Sequence, residues 1–146
     1  MSDLTPGELR ALPLGRLLLQ AHRRAQAASL AKLQSRGHSE IRLGHLPVIT
    51  NLDPAGTRIT DLAARAGMTR QMAGRLVKEL EVLGYVSSRQ DPNDQRAVVV
   101  ALTARGTDFL ADAPAAMSEV DGDFAALLGS DELARLRESL VRITTT

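Results

Sequence analysis

The chain has no cysteine, and aromatic residues make up only 2% of its 146 positions. Without thiols it can form no disulfide, offer no thiolate nucleophile and run no cysteine-based peroxide switch. With so few aromatics the core must be built from Leu, Ala and Val, and Leu and Ala favour helices. No apolar run approaches the roughly 18 residues that a membrane helix needs. The start, Met1-Ser2-Asp3-Leu4, has no basic region followed by an apolar stretch, so no secretory signal is evident. These absences point to a reduced, cytoplasmic setting and away from secreted, membrane and thiol-dependent classes.

What is present suits one ordinary soluble domain: 44% hydrophobic and 24% charged residues. The formal net charge of +1 is unevenly spread. Residues 1–46 carry seven basic and three acidic side chains, and residues 58–105 eight basic and five acidic. Residues 106–146 carry three basic and eight acidic. A phosphate-binding surface therefore belongs to the middle or the N-terminal part, not to the acidic tail.

Along the chain, Thr5-Pro6-Gly7-Glu8 reads as a capped helix start, and Pro13 breaks or kinks the chain after it. A long helix is expected from Leu14 to about Arg36, ending at Gly37, and a weaker one over Leu43–Leu52 with Pro47 in its first turn. Asp53-Pro54-Ala55-Gly56 is a turn, followed by a short strand at Thr57-Arg58-Ile59. Thr60 is the expected N-cap of a helix over Asp61–Ala66, which Gly67 ends. Thr69 caps the next helix, which runs to Leu83 and closes at Gly84. Tyr85–Arg89 and Arg96–Leu102 have strand character and flank the polar turn segment Gln90–Gln95, which makes a β-hairpin with a protruding tip. Thr103 caps another long helix, with Pro114 a candidate kink; after a break near Gly129, Ser130 is the expected cap of a last helix faced by Leu133, Leu136 and Leu140.

The informative stretch is Thr60–Arg105. It begins as helix, tight turn, helix, with Ala63 small where the helices cross and Leu62, Met68 and Leu76 filling the wedge. On the second helix, Ala73, Leu76, Leu80 and Leu83 share one side. Gln71, Gly74, Lys78 and Glu81 lie opposite, flanked by Arg70 and Arg75. A helix in a DNA major groove needs such a face: long donors reach bases and phosphates, and a small residue avoids the groove floor. Glycine inside a helix otherwise costs roughly 1 kcal/mol against alanine. Arg96 at the hairpin tip and Arg89 near its base bring guanidinium groups to the neighbouring minor groove or to phosphates. Asp94, two residues before Arg96, either orients that arginine or holds the turn.

Four blocks carry a family resemblance: Leu62–Gln71, Leu80–Val86, Asp91–Arg96 and Leu102–Gly106. Their sequences and mutual spacing resemble the MarR family of bacterial winged-helix regulators. The most specific part is Asp-x-Arg followed by a valine-rich strand and Leu-Thr-x-x-Gly. The resemblance implies a mainly α fold with a small β-hairpin wing, in a single domain spanning 1–146. A winged helix-turn-helix lobe over about 43–104 would sit between dimerisation helices over about 6–36 and 105–144. It implies a homodimer on a palindromic operator of double-stranded DNA, released by small amphipathic or aromatic compounds. Thr69, Arg70, Gln71, Arg75 and Lys78 fall on its recognition helix, and Asp94 and Arg96 on its wing pair. Pro47 and the segment before Pro13 depart from the family pattern.

The competing reading is a winged-helix module for protein-protein interaction, without DNA binding; the cationic face of Arg70, Arg75 and Lys78 argues against it. An enzyme lacks any convergent site. His22, His38 and His45 are scattered and read as structural or solvated rather than metal-binding. The acids Asp108, Asp112, Glu119, Asp121 and Asp123 read as a solvated helix face, and Met68, Met72 and Met117 as packing. No cofactor is expected.

Overall fold

A computed structural model describes residues 3–146, so Met1 and Ser2 of the N-terminal reading lie outside the described residues. The elements run α1 (Pro6–Arg10), α2 (Leu14–Ser35), a 3-10 turn (Leu43–His45), α3 (Leu46–Ile49), β1 (Thr57–Arg58), α4 (Ile59–Ala66), α5 (Arg70–Val82), β2 (Val86–Asp91), β3 (Asp94–Leu102), α6 (Ala104–Leu128) and α7 (Ser130–Thr144). This is a mainly helical winged-helix architecture. The three-stranded antiparallel sheet has the order β1-β3-β2.

Local chemistry sets most boundaries. Thr5 and Glu8 cap α1 reciprocally: the Thr5 hydroxyl accepts from the Glu8 amide at 3.3 Å, and the Glu8 carboxylate accepts from the Thr5 amide at 2.7 Å. The helix expected over Leu43–Leu52 is shorter. Pro47 sits in the first turn of α3, but that helix ends at Ile49. The Thr50 hydroxyl and the Asn51 amide donate to the Leu46 and Pro47 carbonyls, each at 2.7 Å, and so take up the carbonyls of that last turn.

The cap expected at Thr60 is replaced. Helix α4 begins at Ile59, directly after β1, with Arg58 as its N-cap and no side-chain capping bond. Pairing of Thr57 with Val100 and of Arg58 with Val99 carries extended backbone up to the helix start. Gly67 has φ 65° and ψ 34°, the left-handed conformation that glycine adopts without a Cβ penalty. Thr69 caps α5 by accepting from the Met72 amide at 3.1 Å. The hairpin is tighter than its sequence suggests. The ladder continues to Asp91 opposite Asp94, which leaves only Pro92-Asn93 at the turn. Polar side chains there do not prevent pairing, because the ladder is made by backbone groups.

The lobe meets the long helices at one junction. The Thr103 hydroxyl accepts from the Gly106 amide at 3.2 Å and donates to the Gly84 carbonyl at 2.5 Å, so one side chain caps α6 and ties it to the end of α5. Tyr85 is fully buried, its hydroxyl 2.8 Å from His38 Nδ1. His38 Nε2 lies 2.9 Å from Asp112 of α6, and Phe109 packs edge-on to both rings. The Arg105 guanidinium covers the Tyr85 ring at 4.4 Å. His38, read from sequence as structural or solvated, is structural: it joins the α2–α3 loop, the wing base and α6. Helix α6 continues through Pro114 to Leu128. Ser130 does not cap α7: Gly129, at φ 87°, is the cap residue and Ser130 is the first helical one.

The main core joins Leu30 and Leu33 of α2, Ile41, Val48, Ile49, Leu62, Leu76, Leu80, Tyr85, Val100 and Phe109. Helix α2 packs along α6. In contrast, Leu14, Leu17 and Leu19 of α2 and Leu136, Leu140, Val141 and Ile143 of α7 are exposed, and α7 buries no residue.

A Cβ at position 106 would stand 2.2 Å from the Tyr85 carbonyl oxygen and 2.9 Å from Leu102 Cδ2. Gly106→Ala must therefore push α6 off the wing base. It should destabilise the fold by about 1–3 kcal/mol or more, as overpacking does. Denaturant unfolding measures this; an unshifted midpoint would mean that the contact is slack.

Candidate nucleic-acid interface

Helix α5 has one side in the core. Ala73 and Leu80 are fully buried, and Leu76 and Val77 nearly so. Val77 was not among the expected core positions, and Leu83 is only half-buried. A second hold comes from His45, itself buried, whose Nε2 lies 2.8 Å from the Glu79 carboxylate. His45 Nδ1 accepts from the Arg42 amide at 3.1 Å, so the proton sits on Nε2 and points at Glu79. That hydrogen bond holds the Glu79 carboxyl below its ordinary range, against some desolvation.

With the inner side fixed, Thr69, Arg70, Gln71, Arg75 and Lys78 stand in solvent. Thr69, Gln71, Met72, Gly74, Arg75 and Lys78 line one open depression. Gly74 is half-buried at its edge, and a Cβ there would meet only Ile59 Cδ1, at an ordinary 3.8 Å. Two expectations change. Glu81 does not point outward: it is half-buried and its carboxylate accepts from the Ser88 hydroxyl on β2. Met72 is not core packing: it is 40% exposed and its sulfur lies 3.0 Å from an Arg75 nitrogen. Met117 is exposed too, whereas Met68 packs against the core as expected.

On the wing, Asp94 Oδ1 accepts from the Arg96 backbone amide at 3.0 Å. It holds the turn, and no bond to the Arg96 guanidinium is present. Arg96 and Arg70 line one cleft of about 260 Å³ between the hairpin and the helices, together with Arg58, Thr60 and Asp94. Arg89 is exposed on β2, opposite Val99, and lines neither depression. Arg70, Arg75, Lys78, Arg89 and Arg96 form no ion pair among the described residues. Two further arginines of this region are paired with acids: Arg65 with Asp53 at 3.0 Å and Arg58 with Asp91 at 2.7 Å. Sequence reading missed Arg58 and Asp91 as a pair. They lie 33 positions apart, and only the sheet brings them together.

A separate cleft of about 550 Å³ opens between α2, α3 and α6. Leu30, Leu33, Leu46, Phe109, Leu110 and Phe124 make it largely apolar, and His22, Gln26 and Asp121 supply polar groups. The described residues hold no group of three metal-ligating side chains and no helix long and apolar enough to cross a membrane.

The sequence profile of the MarR family matches residues 50–98. Transcriptional repressor MprA of Escherichia coli (strain K12) is 28% identical over 78 residues. That match takes in 53% of this chain, and it spans only 44% of the length of MprA. Among solved structures, the transcriptional repressor CouR bound to a 23-mer DNA duplex matches at 27% identity with a TM-score of 0.69, covering 98% of this chain and 99% of that one. A mutant MarR from E. coli shares the fold at a TM-score of 0.74 and 21% identity, covering 91% and 97% of the two chains.

Nothing inside the molecule requires glycine at 74. Gly74→Ala should raise stability by about 1 kcal/mol through helix propensity alone. A lower unfolding midpoint would show instead that the site is needed for packing.

Proposed function

We propose that the chain is a winged-helix regulator of the MarR family, whose profile matches residues 50–98, and that it is a transcriptional repressor, a homodimer that binds a pseudo-palindromic operator in double-stranded DNA. The observation that carries the reading is the free cationic side of α5 beside a hairpin whose Arg96 is unpaired. Helix α5 enters the major groove, and the hairpin reaches the adjacent minor groove. Arg70 and Gln71 contact bases, arginine suiting guanine and glutamine suiting adenine. Thr69, Arg75 and Lys78 hold phosphates, Gly74 lets the helix sit low in the groove, and Arg89 and Arg96 serve the wing that Asp94 stabilises. MprA and CouR, both named as repressors, support the sign of regulation.

What one chain leaves uncovered supports the dimer. Apolar side chains stand exposed on α2 and α7, at the two ends of the chain. The N-terminal segment is net basic and the C-terminal one net acidic, which favours contact between one copy's start and the other's end. A two-fold axis then sets two α5 helices about one DNA turn, roughly 34 Å, apart.

The apolar cleft suits a small amphipathic or aromatic effector. Its walls come from α2 and α6 on one side and α3 of the lobe on the other. An occupant would therefore bias the lobe against the dimer helices. Titration calorimetry of the free dimer with phenolic acids should register saturable binding that Leu33→Trp abolishes; heats indistinguishable from dilution across the set would mean that the cleft takes no such effector.

Selection from random duplex DNA should enrich an inverted repeat with half-sites one turn apart. On the enriched duplex, Arg96→Ala should weaken binding and lower the salt slope by about one contact. Failure to enrich any sequence would contradict the reading, and an unchanged slope would remove the wing from the interface.

A further inference from the structure

The cleft between the wing and α4 is held by a contact that crosses the sheet. Arg58 lies on β1 and Asp91 at the end of β2, the two outer strands on either side of β3. The Arg58 Nε and one terminal nitrogen both donate to Asp91 Oδ2, at 3.0 and 2.7 Å. The other carboxylate oxygen accepts from the Asn93 backbone amide at 2.9 Å, inside the two-residue turn. The Asp91 side chain is only 12% exposed. The pairing register shifts between Gln90 and Asp91, and such an irregularity re-aims a side chain relative to its neighbours. Hydrogen bonds from Asn93 and then from Arg58 hold the Asp91 carboxyl below its ordinary range, so it stays ionised.

On the basis of the DNA-binding reading, we propose that Arg58 and Asp91 are positioning residues: their ion pair draws the hairpin tip toward α4 and sets Arg96 against Arg70 around one backbone phosphate of bound DNA. The ligand class is a phosphodiester. The geometry is that of a latch on a two-stranded ribbon. The tip beyond Gln90 has no third strand to brace it, since β1 pairs with β3 only at Val99 and Val100. The Arg58 side chain reaches the tip where its backbone does not. With the Arg58 charge matched by Asp91, the unpaired cations that face the cleft are Arg70 and Arg96, and Asp94 turns one carboxylate oxygen to a backbone amide.

Removing a carboxylate near a polyanion strengthens binding if the carboxylate acts only as a charge. If Asp91 positions Arg96, its removal weakens binding. On the duplex enriched from random DNA, Asp91→Asn is expected to weaken the complex about tenfold, the size of one lost guanidinium contact. The same substitution in an Arg96→Ala background should cause no further loss, because its effect passes through Arg96. Arg58→Gln should behave alike from the other side of the pair. Unchanged or tighter binding of Asp91→Asn, or full additivity with Arg96→Ala, would overturn the proposal. A readout without DNA separates it from the larger reading: backbone amide exchange over residues 89–98 of the free protein should speed up in Arg58→Gln. Unaltered exchange there overturns the latch whether or not a duplex is ever bound.

Discussion

Burial of one side of α5 is the constraint from which the outer surface follows. Ala73, Leu76, Val77 and Leu80 are held by the core, and the His45–Glu79 hydrogen bond fixes the same side through a buried imidazole. A helix turns about 100° per residue, so these contacts leave Arg70, Gln71, Arg75 and Lys78 with no direction but outward. Rotating α5 by one residue would carry an uncompensated charge toward the core, a far larger cost than any single surface contact gains. The cationic face is thus a consequence of packing as much as of composition.

The same economy of means appears where the lobe joins the long helices. The chain has one tyrosine and two phenylalanines, and Tyr85 and Phe109 meet at His38 in this junction. The third aromatic, Phe124, lines the apolar cleft between α2, α3 and α6. Around Tyr85 every polar group finds a partner: the hydroxyl with His38, His38 with Asp112, and the Tyr85 carbonyl with the Thr103 amide at 3.1 Å. The Leu-Thr-x-x-Gly stretch after the wing acquires a physical meaning here. Thr103 caps and anchors, and Gly106 is where the helix lies against the Tyr85 carbonyl. A rigid join of this kind lets a displacement of α6 be felt at the wing base and at the end of α5.

Much of this was legible in the sequence wherever the controlling chemistry is local. Gly67 and Thr69 mark the helix-turn-helix because a left-handed glycine and a hydroxyl cap act within four residues. Thr103 marks the start of α6 for the same reason. The hidden features depend on distant pairing. Arg58, not Thr60, is the N-cap of α4 because β1 is held by β3, some forty positions later. His38 and His45 look scattered along the chain, yet each finds a carboxylate, Asp112 and Glu79, only in the folded state. Asp91 stands three positions before Asp94 in the hairpin sequence, yet Asp94 accepts from the Arg96 amide while Asp91 joins the Asn93 amide to Arg58.

Hydroxyl-radical footprinting of the complex, with the number of chains per duplex counted by sedimentation, decides whether two copies of the chain share one duplex. Two chains should protect two patches on one face of the duplex, centred about 34 Å apart, with flanking minor-groove protection where the hairpins reach. A single protected patch, or one chain bound alone, would contradict it.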